Sequence, residues 1–205
     1  GQALSQFDDQ RLTLTRQIQA DLLGDLDLRR DDVARLSDAP LRELVGQLAR
    51  SSIARRGLPV DVDSEALVRS VVDEALGLGP LERLLADPGI SEIMINGHAA
   101  LYVERAGLIE PSRALFSSEQ SLRAVIERIV AAAGRRVDEA SPMVDARLAD
   151  GSRVNVVLPP LAVKGPAVTI RKFSKQRLDL AALVARNALS ESMAKFLGIA
   201  VRARR

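Results

Sequence analysis

Three arginines with strand-like spacing are the residues of this sequence best suited to chemistry. They lie within residues 142–173, which read PMVDARLADGSRVNVVLPPLAVKGPAVTIRKF. Successive side chains of a β-strand point to opposite faces, so parity shows which residues share a face. One face receives the polar side chains Asp145, Arg147, Arg153, Asn155 and Arg171. Because guanidinium groups bind oxyanions through paired hydrogen bonds, this face has the chemistry of an anion site.

The same stretch contains three apolar runs of strand length that would bury the opposite face. The inward side chains are Val144, Ala146, Leu148, Val154, Val156, Leu158, Val168 and Ile170. A two-residue Asp-Gly turn would pair Leu148 with Arg153 and mix the two faces. A three-residue loop at 149–151, with Gly151 left-handed in a bulge, pairs Arg147 with Arg153 and keeps one face apolar. We therefore expect the longer loop.

Parity alone leaves a simpler interpretation open, in which the arginines are solvated on the wet face of a half-buried sheet. Two other features are better explained without a site. His98 is the sole histidine and has no Cys or His companions, so we expect it to be solvated rather than a metal ligand or a base. Gly77 and Gly79 follow a helix and lack the third glycine of a dinucleotide loop, which predicts a tight joint between helices.

Composition limits the classes of function. Of 205 residues 47% are apolar and only 2% aromatic, which argues against a stacking platform for single-stranded nucleic acid. The chain has 29 basic and 27 acidic side chains, so it lacks the excess of positive charge that is typical of polyanion-binding proteins. Cysteine is absent, which excludes disulfides and suits a reducing compartment. No signal-peptide pattern and no apolar run near twenty residues occurs, so we expect neither export nor membrane insertion.

The first part of the chain has the periodicity of helices. Apolar residues at 7, 12, 14, 18, 22 and 23 predict one amphipathic helix that ends near Gly24 or Asp27. Asp38 with Pro40 predicts the start of a second helix, which carries an apolar stripe and ends before Gly57. A cap within residues 61–63 predicts a third helix, whose core face consists of Leu67, Val71, Val72 and Ala75.

The middle of the chain predicts a short meander and a helix that covers the sheet. Strands are expected at 90–95, 101–104 and 108–110, with bends at 96–97 and 106–107. A capping-box pattern at 117–120 starts a helix with an apolar stripe from Leu122 to Ala133, and Gly134 ends it. Arg135 and Arg136 follow directly, either complementing the helix dipole or joining an anion site. Two further helices are expected at 178–185 and 190–201, before the arginines at 202, 204 and 205.

Four sequence blocks carry a resemblance to a known family. PMVDARLADGSRVNVVLPP and TIRKF resemble the N-terminal half of the secretion and pilus-assembly traffic ATPases, the type II/IV secretion ATPase family. GLGPLERLL at 77–85 and ISEIMING at 90–97 are similar to the same family and stand in the same order. The pattern is most similar to the tight-adherence (Flp) pilus, CpaF-type branch. The resemblance covers residues 68–205, and the helices before it are similar only in general pattern.

The periodicity and the order of elements predict an α+β fold, with an N-terminal helical bundle at 1–60 followed by an antiparallel sheet covered by helices. The resemblance implies that this sheet belongs to a PAS-like domain at 61–187, and that a linker helix at 188–205 leads to a RecA-like ATPase domain. The full-length protein would be a cytoplasmic homo-hexamer, peripheral to the inner membrane through pilus or secretion platform proteins. Nucleic acid is not among the implied partners.

The resemblance also implies a site. In the family, the N-terminal domain folds over the nucleotide cleft of the motor domain and contributes arginines near the terminal phosphate. By motif, the implied phosphate contacts are Arg153 of DGSRVN and Arg171 of TIRKF, with Arg147 and Lys172 as weaker candidates. ATP and Mg²⁺ would bind the full-length protein, and the arginines would neutralise charge on the phosphoryl group.

The chemistry of ATP hydrolysis is missing from these residues. A phosphate-binding loop requires GxxxxGK followed by Ser or Thr, and no Gly-Lys dipeptide occurs. Nucleophile elbows and metal-ligand clusters are absent as well. Gly1 in place of Met and the abrupt end at Arg205 indicate an excised piece, truncated before the motor domain. We therefore expect no catalytic residue here, no ATP hydrolysis by this piece alone, and weak nucleotide binding at most.

Two alternatives belong to other classes. The first is an autonomous interaction module that docks membrane platform proteins and has no nucleotide role. The second is a sensor domain that holds a small ligand between sheet and helix. No polar residue interrupts the apolar stripe of the helix at 122–133 to orient such a ligand, which disfavours the sensor.

Overall fold

The computed structural model of the chain describes residues 2–27, 36–59, 62–173 and 179–203. The chain divides into two compact units, residues 1–173 and 174–205. In order, the elements of the first unit are α1 (Gln2–Asp27), α2 (Asp38–Arg56), α3 (Ser64–Leu76), α4 (Leu81–Ala86), β1 (Ile90–Asn96), β2 (Leu101–Arg105), β3 (Leu108–Pro111), α5 (Glu119–Ala132), β4 (Met143–Arg147), β5 (Arg153–Val157) and β6 (Ala167–Arg171). The second unit contains α6 (Leu180–Ala185) and α7 (Glu191–Arg202).

Helices α1, α2 and α3 pack on one another through most of the predicted apolar stripes, although Leu23 of the first stripe is 60% exposed. Their shared core consists of Ile18, Leu22, Val45, Ala49, Ile53, Leu67, Val68 and Val71. The boundaries agree with the sequence signals, since α2 starts at Asp38 and Gly57 follows it with a positive φ of 74°. Asp63 caps α3 by accepting the Ala66 N–H at 3.1 Å. Residues 60 and 61 and the side chain of residue 7 lie outside the described residues.

The six strands form one antiparallel sheet in the order β3-β2-β1-β6-β5-β4. Two meanders, β1–β3 and β4–β6, therefore meet along the pair β1 and β6. The loop between β4 and β5 is the predicted three-residue one. Arg147 stands opposite Arg153, the Leu148 N–H donates to the Ser152 carbonyl at 2.9 Å, and Gly151 has φ +89°. This loop length holds Val144, Ala146, Val154 and Val156 on one face, whereas Met143 and Val157 at the far end of the hairpin share the parity of the arginines.

Helix α5 covers the apolar face of the sheet, as expected. Its buried residues Leu122, Val125, Ile126, Ile129 and Val130 share a core with β-strand side chains such as Ile93, Val154, Val156, Val168 and Ile170. Ser118 is the N-cap and accepts the Ser121 N–H at 3.1 Å, while Gly134 ends the helix with φ +66°. The predicted capping box is only half present, because Ser121 and not a glutamate occupies the third helical position. The Ser121 hydroxyl instead donates to Gln19 of α1 at 3.0 Å.

Buried polar contacts join the helical core to the sheet core. The Glu74 carboxylate of α3 accepts the Ser117 N–H at 3.1 Å and the Gln19 amide at 3.0 Å, and Ser117 Oγ lies 2.6 Å from it. The Arg128 guanidinium of α5 donates to the carbonyl oxygens of Glu74, Ala75 and Gly77, which end α3. A cation at these carbonyls satisfies acceptors that the helix leaves unpaired. The partial burial of Arg128 lowers its pKa from the ordinary arginine value.

The second unit is a pair of short helices close to the predicted positions. Asp179 caps α6 by accepting the Ala182 N–H at 2.7 Å, and Ser190 caps α7 by accepting the Met193 N–H at 3.2 Å. Neither helix buries a residue, and Phe196 and Val201 are 70% and 74% exposed. Residues 178, 204 and 205 lie outside the described part.

The architecture is thus a mixture of helices with an antiparallel sheet, the α+β class that the sequence indicated. Helix α3, which we assigned with the sheet, shares its core with α1 and α2. The division into domains at 1–60, 61–187 and 188–205 stays a prediction. Within the described ranges, no helix combines the length and the hydropathy that a bilayer span requires.

Candidate functional site

The three arginines of the sequence pattern form one cross-strand row. Arg153 on β5 stands directly opposite Arg147 on β4 and directly opposite Arg171 on β6. All three side chains lie on the sheet face opposite to α5, since the alternate residues Val154 and Ile170 are buried in the core. Side chains directly opposite one another are neighbours, and like charges in such pairs are destabilising. The sheet therefore holds three cations together against repulsion that a bound anion would relieve.

The row lies along an open groove of about 760 Å³. Its wall contains Glu92, Ala133, Arg135, Asp145, Ala146, Arg147, Arg153, Val154, Asn155, Thr169 and Arg171. The charged members are four arginines and two carboxylates, so the groove carries a net positive charge. A volume in this range is typical of sites for small organic ligands. The groove thus has the size and the sign for a phosphate-bearing ligand.

The guanidinium groups of the row are accessible. Arg147 and Arg153 are exposed and make no hydrogen bond or ion pair with any side chain in the described ranges. Arg171 is 72% exposed in its side chain, and its Nη2 lies 3.5 Å from Oε2 of Glu92. A single contact at this distance on an exposed group is a weak ion pair. The row is therefore not locked into internal salt bridges.

The fourth arginine, Arg135, comes from the segment after α5. Gly134 has φ +66°, and the Arg135 N–H returns to donate to the Val130 carbonyl at 3.0 Å. This turn directs the chain to the groove, where Arg135 joins the wall. Arg136 lines only a neighbouring depression of about 440 Å³. Arg135 thus lies where the anion-site alternative requires it, and the choice between the two alternatives stays a prediction.

Lys172 is not part of the groove. It follows Arg171 by one residue, so strand parity turns it to the other side of the sheet. Its ammonium group contacts the carbonyl oxygens of Leu84 and Asp87 at the end of α4, the first at 3.4 Å. Its N–H donates to the Ser91 carbonyl at 2.9 Å. The structure brings Arg147, Arg153 and Arg171 together and places Lys172 at a helix end.

Two acidic side chains complete the groove and differ in how they are held. Asp145 accepts the Asn155 amide at 3.0 Å across the β4–β5 pair. Glu92 on β1 stands opposite Arg171, and its side chain is only 18% exposed. Sequence reasoning missed Glu92. Strand alternation with the buried Ile93 puts it on the outer face, but nothing in the sequence pattern indicated that β1 lies beside β6.

The described residues offer no preformed metal centre. No group of three or more His, Cys, Asp or Glu side chains within them is arranged to hold a metal ion. His98 lies in the bend after β1, and its backbone carbonyl accepts the Phe116 N–H at 3.2 Å. What the groove can do chemically is bind oxyanions and neutralise negative charge.

Comparisons with known proteins identify a family. The family described as "Type II/IV secretion system protein" matches residues 74–204. The "Putative conjugal transfer protein" of Mycobacterium tuberculosis strain H37Rv is 31% identical over 150 residues, which are 70% of this chain and 43% of that protein. The type IV secretion system protein VirB11 of Brucella suis is 29% identical over 120 residues, 58% of this chain and 33% of that protein.

A solved structure is similar as well. The crystal structure of the VirB11 ATPase from the Brucella suis type IV secretion system aligns with a TM-score of 0.50 and 25% identity. The alignment covers 58% of this chain and 37% of that one. The chain thus spans less than half the length of each of these relatives.

Proposed function

Because the chain belongs to the type II/IV secretion system protein family, we propose that it is the N-terminal, nucleotide-capping region of an ATPase that powers pilus assembly or secretion. In this proposal residues 61–187 form a PAS-like domain, residues 1–60 a helical bundle, and residues 188–205 a linker to a motor domain. The branch would be the CpaF-type, tight-adherence (Flp) pilus branch. The whole protein would be a cytoplasmic homo-hexamer, peripheral to the inner membrane through platform proteins.

The cross-strand arginine row is the observation that carries the proposal. Three exposed guanidinium groups on neighbouring strands match the several oxygens of a phosphate chain better than they match a single carboxylate. The similar VirB11 ATPase structure is described as a complex with sulphate, a tetrahedral oxyanion. The fold of this chain would present Arg153 at the centre of the row, with Arg147 and Arg171 on either side.

The role of the groove would be electrostatic. ATP with Mg²⁺ would bind in the motor domain, and the groove would close over its terminal phosphate. Arg153 and Arg171 would then donate to phosphate oxygens and neutralise charge during phosphoryl transfer, with Arg135 and Arg147 adding to the positive field. Arginine fingers elsewhere contribute about 10³ to 10⁵ in rate. We expect a smaller effect here, because closure of the groove also couples nucleotide binding to domain movement.

The test uses the whole gene product. Its reading frame should encode GxxxxGK followed by Ser or Thr after residue 205, and the absence of that loop would defeat the motor proposal. Arg153→Ala and Arg171→Ala should each lower ATPase turnover at saturating ATP by about tenfold or more, with unchanged folding by circular dichroism. Arg113→Ala is the matched control, since Arg113 is exposed on the loop after β3 and lies outside the groove.

One observation favours the alternative, a module that docks platform proteins. Helix α7 exposes Met193, Phe196 and Val201, which is more apolar surface than a solvated helix of 12 residues usually presents. If turnover is unchanged in both arginine variants while Phe196→Ser abolishes recruitment to inner-membrane vesicles that contain the platform proteins, the docking module is correct. The groove would then be a solvated face.

A further inference from the structure

The cross-strand row of arginines does not end at Arg171. On the next strand, Glu92 stands directly opposite Arg171, so the order across the sheet is Arg147, Arg153, Arg171, Glu92. The carboxylate faces the same groove as the guanidinium groups. An acid at this position lowers the positive potential where an anion would bind. The position of Glu92 beside the proposed anion site therefore needs an explanation.

Glu92 and Arg171 differ in how exposed, and so how free to move, their side chains are. The Glu92 side chain is 18% exposed, whereas the Arg171 side chain is 72% exposed. Glu92 is thus held by its surroundings, and Arg171 is the member that can move. The contact consists of one Nη2–Oε2 approach at 3.5 Å, not a bidentate pair. Such a contact is easily exchanged for a shorter, charge-assisted one.

Other acids on this face have different partners. Asp145 accepts the Asn155 amide, and Glu104 on β2 lies 2.7 Å from the Ser91 hydroxyl. Glu104 stands opposite Glu92 across β1 and β2, one strand further from the arginines. Among the described residues, Glu92 is the acid paired directly with the arginine row.

Resting on the proposed function, we propose that Glu92 is a positioning residue that competes with the ligand for Arg171. Without ligand, its carboxylate engages the guanidinium. A ligand must provide enough charge and enough oxygens to take Arg171 away while it also engages Arg153. A triphosphate satisfies both conditions, and inorganic monophosphate satisfies them poorly because it cannot span the row. Glu92 thereby lowers the affinity for anions that take Arg171 and leaves anions that bind without Arg171 unaffected.

The test is a titration of the 205-residue chain with inorganic triphosphate and with monophosphate at low salt, followed by NMR. Glu92→Gln keeps the shape of the side chain and removes its charge, so triphosphate should bind about two- to fivefold tighter. Monophosphate should gain less, because an anion that does not span the row need not take Arg171 from Glu92. The Nε resonance of Arg171 should shift in the unliganded variant, because the guanidinium has lost its partner.

Glu104→Gln is the matched control, because it removes the same charge from the same face without touching Arg171. It should change triphosphate affinity by less than Glu92→Gln does, and it should leave the Arg171 resonance in place. Equal tightening by both variants would overturn the proposal, since the effect would then be one of net charge.

The same titration tests two things separately: anion binding by the groove, and the competition of Glu92 for Arg171. If Arg153→Ala and Arg171→Ala bind triphosphate as the parent does, the anion-binding role of the groove fails, and the competition fails with it. If both arginine variants bind more weakly but Glu92→Gln equals the parent in its affinity for both anions, only the competition is wrong. If Glu92→Gln binds triphosphate more tightly, gains less for monophosphate and shifts the Arg171 resonance while Glu104→Gln does not, the competition is correct.

Discussion

Arg153 has an arginine beside it on each neighbouring strand, and this arrangement costs stability. Like charges directly opposite one another in a sheet destabilise it by up to about 1 kcal/mol per pair. Within the described residues, Arg147 and Arg153 have no internal partner that would offset this repulsion. The row therefore lowers the folding stability of the domain, as functional sites often do. The row is therefore better explained by a ligand than by the needs of the fold.

This cost can be measured. Arg153→Thr replaces the central cation with a residue that favours strands, and it should stabilise the chain by about 0.5–1 kcal/mol in urea unfolding at low salt. The gain should shrink in about 1 M salt, because screening already relieves the repulsion in the parent. A loss of stability at low salt would show that Arg153 has a structural role instead.

At the scale of elements, an ion pair holds α1 against α2. Arg56 donates from Nε and Nη2 to the two Asp21 oxygens at 2.7 Å each, and the Ser52 hydroxyl donates to the same carboxylate. The Arg56 hydrogen bonds and then the Ser52 bond lower the pKa of Asp21 from 3.8 to about 2. Such geometry stabilises the ionised form of Asp21 in the folded chain.

The sign of the pH dependence follows from this lowered pKa. Because the folded pKa lies below the unfolded one, the contribution of Asp21 is fully present above pH 4 and is lost as pH falls from about 4 to about 2. Asp21→Asn should cost about 1 kcal/mol at pH 7 after solvent screening, and clearly less at pH 2, where about half of the Asp21 carboxyl is protonated in the folded chain. Urea unfolding across pH measures the difference. Glu65→Gln, which removes an exposed partner of Arg50, should cost less than Asp21→Asn at pH 7.

The β4–β5 loop gives a second prediction at this scale. Gly151 has φ +89°, a conformation that L side chains rarely adopt, so Gly151→Ala should destabilise the chain by about 1 kcal/mol. Gly24 lies within α1, and a Cβ added there would meet no other heavy atom within 4 Å. Gly24→Ala should therefore stabilise the chain by about 0.5–1 kcal/mol. Thermal unfolding of the two variants should shift in opposite directions, and a stabilising Gly151→Ala would refute the left-handed loop.

The faces of the strands and the length of the β4–β5 loop could be predicted from the sequence, because strand alternation and turn geometry depend only on neighbouring residues. Strand parity gave the apolar and polar faces, and the mismatch of a two-residue turn gave the loop that pairs Arg147 with Arg153. The pairing of β1 with β6 could not be predicted, since any outer strand satisfies the same alternation. For that reason the sequence located the arginine row but not Glu92. Lys172 was included by its position in a motif, and parity alone would have excluded it.

At the scale of the whole first unit, one buried polar cluster couples the two cores. Glu74 accepts hydrogen bonds from Ser117 and Gln19, so α1, α3 and the start of α5 depend on a single carboxylate. Glu74→Ala would leave the Ser117 N–H unpaired in the interior and should cost about 2–3 kcal/mol. Glu74→Gln retains an acceptor oxygen and should cost less.

Hydrogen exchange of Glu74→Ala shows whether the helical core and the sheet core open together or separately. In Glu74→Ala, amide protection should fall in α1 around Ile18 and in α5 around Ile126 together, because each core uses the cluster. Loss of protection in α1 with α5 unchanged would mean that the helical core opens independently of the sheet.

In the proposed function, the arginine face of the sheet meets the terminal phosphate of ATP in the whole protein. An ATP analogue with a photoreactive group on its γ-phosphate tests it directly, with crosslinked peptides mapped by mass spectrometry. We predict labelling within residues 143–157 and 167–171, suppressed by excess ATP and reduced in Arg153→Ala. Labelling that is confined to the motor domain, with these two segments unmodified at saturation, would contradict the account.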